Sequence, residues 1–228
     1  MQKSFQLNSK YLLVLVVVYI AIATSADAVA YKFTNLGFLT LSGSALIYPA
    51  DFFINDIIAE VYGYSIIRKV IWLGLFAEII FALLVQGVIF LPSPIGFHFQ
   101  TEFHDVLGST LRFVLSGIVA DLVGMFLNAY IMSKCKIIVR GKYFVLRSLG
   151  STFLGQFFML FIIIALAYYG VTSTKEWLKL FFSIYLFHTC YDLLLVLPAW
   201  MVSHFLKNVE KIDVYDYNVK YNPFRVNL

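Results

Sequence analysis

Tyr48, Phe52, Asp56 and Glu60 fall every fourth residue, and they are the most informative pattern in the chain. On a helix that spacing stacks two aromatic rings and two carboxylates along one stripe. Such a stripe could hold a flat ligand, with the rings against its faces and the carboxylates accepting hydrogen bonds from its N–H groups. The plain alternative is that Asp56 and Glu60 lie in a membrane interface, paired with Arg68 or Lys69.

Other polar residues recur at helical spacing inside apolar segments. Between positions 112 and 128, Arg112, Ser116, Ala120, Gly124 and Asn128 share a face, with Gly117 and Asp121 beside it. Ser116, Ala120 and Gly124 read as a close helix-packing seam. Arg112 is expected either to snorkel to the interface or to contact a ligand or carboxylate. Ser148, Thr152 and Gln156 form a second stripe, and the Gln156 amide needs either a partner helix or a ligand. Tyr185, His188 and Asp192 lie on one side of a later segment and are followed by Pro198, and Asp27 interrupts the first apolar run next to Thr24 and Ser25.

No metal or cofactor is expected, because His188, Cys190 and Asp192 at alternate positions do not converge on a helix. An enzyme is disfavoured for a related reason: no nucleophile and base meet at one helical turn. There is no Gly-rich phosphate loop ending in Lys-Ser or Lys-Thr.

The elements that must position these groups follow from composition. Of 228 residues, 61% are hydrophobic and 13% charged, against about 25% charged in soluble domains. The mean hydropathy is +0.84. The apolar residues come in long blocks, so the chain reads as an all-α integral membrane bundle. Six spans are expected, near 11–31, 38–61, 69–91, 112–134, 148–170 and 178–206, each near the length needed to cross the hydrocarbon. The second is the least uniform; Pro49, Asp51, Asp56 and Glu60 make it either two shorter pieces or a helix whose last turns line a polar cavity. The first run is too long for a signal-peptide core and is kept as a permanent helix.

With six spans, 13 of the 17 Lys and Arg fall on one side: Lys3, Lys10, Arg68, Lys69, Lys134, Lys136, Arg140, Lys142, Arg147, Lys207, Lys211, Lys220 and Arg225. Lys32, Arg112, Lys175 and Lys179 fall on the other. The positive-inside rule makes the first side, with both termini, cytoplasmic. The expected organisation is a cytoplasmic N-terminus (1–10), one transmembrane domain (11–207) and a partly ordered cytoplasmic tail (208–228), in the inner (plasma) membrane. The net charge of +4 is accounted for by these flanking cations and does not indicate nucleic acid. The two cysteines imply no disulfide framework.

The order of these motifs resembles the queuosine precursor transporter family, also called the vitamin uptake transporter family, of small six-helix membrane proteins. The resemblance is carried by Tyr48-Pro49, Phe52, Asp56 and Gly63, then Arg112, Ser116 and Ala120, then Ser151-Thr152 with Gly155-Gln156, and finally Leu197-Pro198. It implies import of a 7-deazaguanine base, such as 7-cyano-7-deazaguanine, the aminomethyl form or queuine, used to make queuosine in tRNA. A guanine-like edge presents N–H donors that a carboxylate accepts in pairs, and Asp56 and Phe52 are the first choices for acceptor and stacking ring. Gln156, Asn128 or Arg112 could donate to a carbonyl of the base. The expected site comprises Asp27, Tyr48, Phe52, Asp56, Glu60, Arg112, Asn128, Gln156, His188 and Asp192. Relatives often have Asp where this chain has Met159, Lys where it has His188, and Asn where it has Asp27, which suggests altered specificity within the class.

Three alternatives stay open: a substrate-binding subunit of an energy-coupled vitamin importer with a separate ATPase module, a membrane enzyme, and an assembly protein that binds no small molecule. Small-residue faces would permit a homodimer. Energy coupling is unresolved, with Asp56, Glu60 or His188 available to a proton.

Overall fold

A computed structural model describes residues 9–168, 170 and 173–225. Lys3 and the rest of segment 1–8 of the expected N-terminus lie outside the described residues. The elements in chain order are α1 (Lys10–Ala28), β1 (Phe33–Leu36), β2 (Leu39–Ser42), α2 (Gly43–Ile47), α3 (Pro49–Tyr62), α4 (Tyr64–Ile89), α5 (Gln100–Leu107), α6 (Thr110–Ile138), α7 (Phe144–Ala167) and α8 (Thr174–Glu210).

Five helical segments among the described residues are long and apolar enough to cross a membrane: α1, α4, the stretch Gln100–Ile138 containing α6, α7 and α8. Their outward side chains are large and apolar, including Leu13, Val17, Phe76, Leu84, Val88, Phe158 and Leu194. That surface is stable in lipid and not in water. The expected second span differs most from a plain helix. Its first residues form β2 of an antiparallel hairpin, in the register Phe33↔Ser42 to Leu36↔Leu39, with Gly37 at φ +63° in the turn. The remainder is the two shorter helices α2 and α3, so the structure is helical with one small hairpin.

Local chemistry sets these boundaries. The Ser42 hydroxyl accepts from the Ala45 amide and starts α2. Pro49 has no N–H for the Ala45 carbonyl four residues back, so the helix cannot continue unbroken. Pro49 instead begins α3 at a position that proline favours. α3 ends at Gly63, whose φ of +81° is open to glycine and strained for other residues. A capping box between Ser173 and Glu176 begins α8.

α6 and α7 approach most closely at Gly124 and Gly155. A Cβ on Gly124 would lie 2.6 Å from Met159 Cβ and 2.8 Å from the Gly155 carbonyl, and one on Gly155 would lie 2.7 Å from the Gly124 carbonyl. Gly124 therefore belongs to a packing seam.

The ends of the helices sort into two groups. Ser9 and Tyr62 both bond Glu210, which brings the start of α1 to the ends of α3 and α8. Lys136 at the end of α6 reaches the Glu60 carbonyl at 2.5 Å, and Arg147 at the start of α7 reaches its carboxylate at 2.8 Å. This is the basic end.

Residues 211–225 form an ordered strap across it, more fixed than the partly ordered tail expected. The Asp216 carboxylate accepts from the Tyr64 amide at 2.8 Å and from Ser133 at 2.6 Å. Arg68 donates to the carbonyls of Lys220 and Asn222, and Trp72 to that of Pro223.

Candidate functional site

Three helices converge on Asp56. Asn128 of α6 donates its amide to Asp56 Oδ1 at 2.8 Å, Thr152 of α7 donates to Oδ2 at 3.2 Å, and Ser148 of α7 donates to the same oxygen. Ser148 and Thr152 are one turn apart, so both hydroxyls meet a single carboxylate. The Gly124–Gly155 contact makes this possible, because a bulkier seam would hold α7 away from α6. All three donors are neutral, and no ion pair among the described residues involves Asp56.

One turn further along α7, Gln156 donates Nε2 to Asp192 Oδ1 of α8 at 3.3 Å. Gln156 Oε1 and Asp192 Oδ2 are buried acceptors with no donor. Asp56 and Gln156 are not bonded to each other. They are linked through Asp192, which lines one small hollow together with Asp56, Phe52 and Thr152. The Phe52 ring is buried and lies so close to Gly155 that a Cβ there would come within 3.1 Å of it.

His188 adds another acceptor. Its Nε2 lies 3.1 Å from the Ala45 carbonyl, the group that Pro49 leaves without a helical partner. A carbonyl can only accept, so Nε2 carries the proton and Nδ1 is left as an acceptor with no donor. His188 lines a second hollow with Tyr48, Ser44, Phe113 and Met159. The two cavities measure about 30 and 10 Å³, whereas pockets for drug-sized ligands run to about 300–1,000 Å³. Both hollows are closed in this arrangement, and a ligand of that size enters only if the helices part.

The remaining expected residues lie elsewhere. Glu60 sits one turn from Asp56 toward the basic end, where Arg147 (2.8 Å), Lys207 (2.6 Å) and Lys136 (3.9 Å) surround it. Arg68 and Lys69, the partners considered for it, are not involved, and Arg68 holds the strap. Arg112 is exposed and donates to the Leu166 carbonyl at 3.2 Å. Tyr48 donates to Asp121 at 2.5 Å. Asp27 lies on that side too and is buried. Sequence reasoning missed the part played by Ser148 on Asp56, and it passed over Glu78, a lone acid in the middle of an apolar run. A lone acid at that depth is itself a signal.

Comparison with known proteins decides the family. Residues 42–202 match the family described as "Putative vitamin uptake transporter". The chain belongs to the vitamin uptake transporter family. The matched stretch runs from the cap of α2 into the second half of α8 and contains every expected site residue except Asp27. The chain is also 29% identical over 196 residues to a protein of Bacillus subtilis (strain 168) named "Probable queuosine precursor transporter", covering 85% of this chain and 86% of that protein. No solved structure matches the chain. Family membership and apolar helices together make this a multi-pass membrane transporter protein.

Proposed function

We propose that this vitamin uptake transporter carries a queuosine precursor of the 7-deazaguanine class into the cytoplasm, with the basic end as its cytoplasmic face. The reading rests on one observation: at hydrocarbon depth, acceptors outnumber donors. Asp192 Oδ2, Gln156 Oε1 and His188 Nδ1 are buried without a donor, and the Asp56 carboxylate is held by neutral groups alone. An unsatisfied buried acceptor costs about 1–3 kcal/mol, so three of them favour a partner rich in N–H groups. The donor edge of a guanine-like base supplies such groups, and its flat face suits the Phe52 ring. Asp192 and Gln156 take the donor edge, Asp56 keeps a fourth lone-pair site for it, and Asn128 exchanges its amide toward the base.

The positive-inside distribution supports the orientation. A carrier that works alone is preferred to the subunit of an ATPase-driven importer, because the strap already occupies much of the basic end. Binding of 7-cyano-7-deazaguanine, its aminomethyl form, queuine and guanine to purified protein in detergent tests the reading. At least one 7-deazaguanine should bind at least ten-fold more tightly than guanine, and uptake into vesicles containing this chain alone should follow the same order. Equal, weak binding of all four bases would overturn it.

A further inference from the structure

On the far side of Tyr48 from the substrate hollow, four helices each contribute one buried carboxyl group. They are Asp27 of α1, Asp51 of α3, Glu78 of α4 and Asp121 of α6, none more than 8% exposed. Their charges act on one another: Asp121 and Asp27 on Asp51, and all three on Glu78. The other titratable groups facing them are Tyr19 of α1 and Tyr48. No ion pair among the described residues involves any of the four; those of Lys136, Arg147 and Lys207 are all at the basic end.

A second feature points the same way. Asp51 is fully buried and neither of its oxygens has a donor, and Asp27 Oδ2 has none either. Asn55, one turn along the Asp51 face, is also fully buried; its Nδ2 contacts Met125 Sδ, one turn beyond Asp121, while its Oδ1 has no donor. An acid in the first turn of α3 would ordinarily complement the helix dipole at a surface. Here it is sealed among other acids with its lone pairs unused. Four carboxylates cannot all stay ionised in a low-dielectric interior without a counter-charge, so they must take up cations, and a proton is the one that needs no enlarged cavity.

We propose that Asp27, Asp51, Glu78 and Asp121 form a proton-binding site that couples substrate movement to a proton gradient. This rests on the transporter reading above. Each proton bound converts one carboxylate to a neutral acid and removes one negative charge. The cluster lies in the half of the bundle away from the basic end, so it loads from that side. Tyr48 links it to the substrate: its ring lines the hollow with His188, and its hydroxyl holds Asp121. A base that displaces the ring takes the donor away from Asp121 and changes the cluster's affinity for protons.

The test uses the full chain in proteoliposomes, with labelled 7-cyano-7-deazaguanine as probe. A pH gradient, acid outside, should raise the initial uptake rate several-fold, and replacing sodium with potassium should change nothing. Asp51→Asn and Asp121→Asn should each abolish the gradient response while binding in detergent stays within about two-fold of the unaltered chain. Gradient-indifferent or sodium-driven uptake by the unaltered chain would overturn the proposal and leave the transporter reading intact. Infrared spectroscopy needs no transport: the unaltered protein at neutral pH should show absorption from protonated carboxyl groups that shrinks in Asp51→Asn. Its absence would overturn the proposal even if no base is carried. Absence of base binding with the absorption present would instead count against the substrate.

Discussion

Arg147 of α7 donates to Glu60 of α3 at 2.8 Å, and both side chains are almost wholly buried. The pair closes the bundle one turn below Asp56, with Lys207 of α8 on the other Glu60 oxygen at 2.6 Å. Three helices are thus tied at the end through which, on the proposed orientation, the base leaves.

Removing one member of that cluster strands buried charge of the other sign. Glu60→Gln should destabilise the protein by about 3–5 kcal/mol. The joint change Glu60→Leu with Arg147→Leu should cost less than the single one. Thermal unfolding in detergent, followed by size-exclusion chromatography, measures both.

Asp56→Asn keeps the size of the side chain but replaces an acceptor oxygen with an amide donor, so Asn128, Ser148 and Thr152 cannot all keep their bonds to it. Leaving a buried polar group without its partner costs about 1–3 kcal/mol. Initial uptake of the preferred base should therefore fall at least ten-fold, with the protein still monodisperse. Undiminished uptake would remove Asp56 from the site.

Asp192 and Gln156 are expected to recognise the donor edge of the base. Asp192→Asn should weaken binding about ten-fold for a base carrying the exocyclic amino group, and far less for an analogue lacking it. Equilibrium binding of both ligands to both proteins forms a double-mutant cycle, and a coupling energy near zero would count against the assignment.

The α6–α7 seam allows no added atom. Gly155→Ala would place its Cβ 2.7 Å from the Gly124 carbonyl and 3.1 Å from both Phe52 and Asn128. Overpacking of this kind costs about 1–3 kcal/mol. Base affinity should fall together with the unfolding temperature, whereas Gly150→Ala, with open space around it, should change neither.

Asp213 on the strap lies outside the spans and gives a pH prediction. Burial alone would push its carboxyl up, but hydrogen bonds from Lys136 and Lys207 outweigh burial and hold it below the ordinary value. A depressed folded value means that the contribution is complete above the unfolded value, about 3.9, and is lost as pH falls through the folded one. The protection of the amides at residues 212–216 against hydrogen exchange, taken relative to the intrinsic rate at each pH, should therefore be flat from neutral pH to about pH 5 and fall only in stronger acid. Asp213→Asn should show the acid pattern at neutral pH.

Much of this was readable from the residues because membrane helices impose a strong pattern. Long apolar blocks located the crossing helices, and the four-residue spacing of Tyr48, Phe52, Asp56 and Glu60 put Asp56 on the inner face of α3. The break in the second span was readable too, from Pro49. Its consequence was not, since nothing local says that His188, 143 positions later than Ala45, meets the carbonyl left free. The hairpin was missed because its strands are only four residues each: Phe33–Leu36 falls between the first two expected spans, and Leu39–Ser42 at the start of the second. The sorting of carboxylates into two groups, Asp56 with Asp192 and Asp27 with Asp51, Glu78 and Asp121, depends on which helices are neighbours. Spacing along one helix carries no information about that.

The strap has a consequence for how the protein is made. Tyr64, Arg68, Trp72 and Ser133 all wait for partners between residues 216 and 223. When the ribosome has inserted the first four crossing helices, these groups have nothing of the finished protein to bond. Final assembly at that face therefore waits for residues 216–223, and a chain that stalls after α8 would leave the translocon with this face unsealed and open to quality-control proteases.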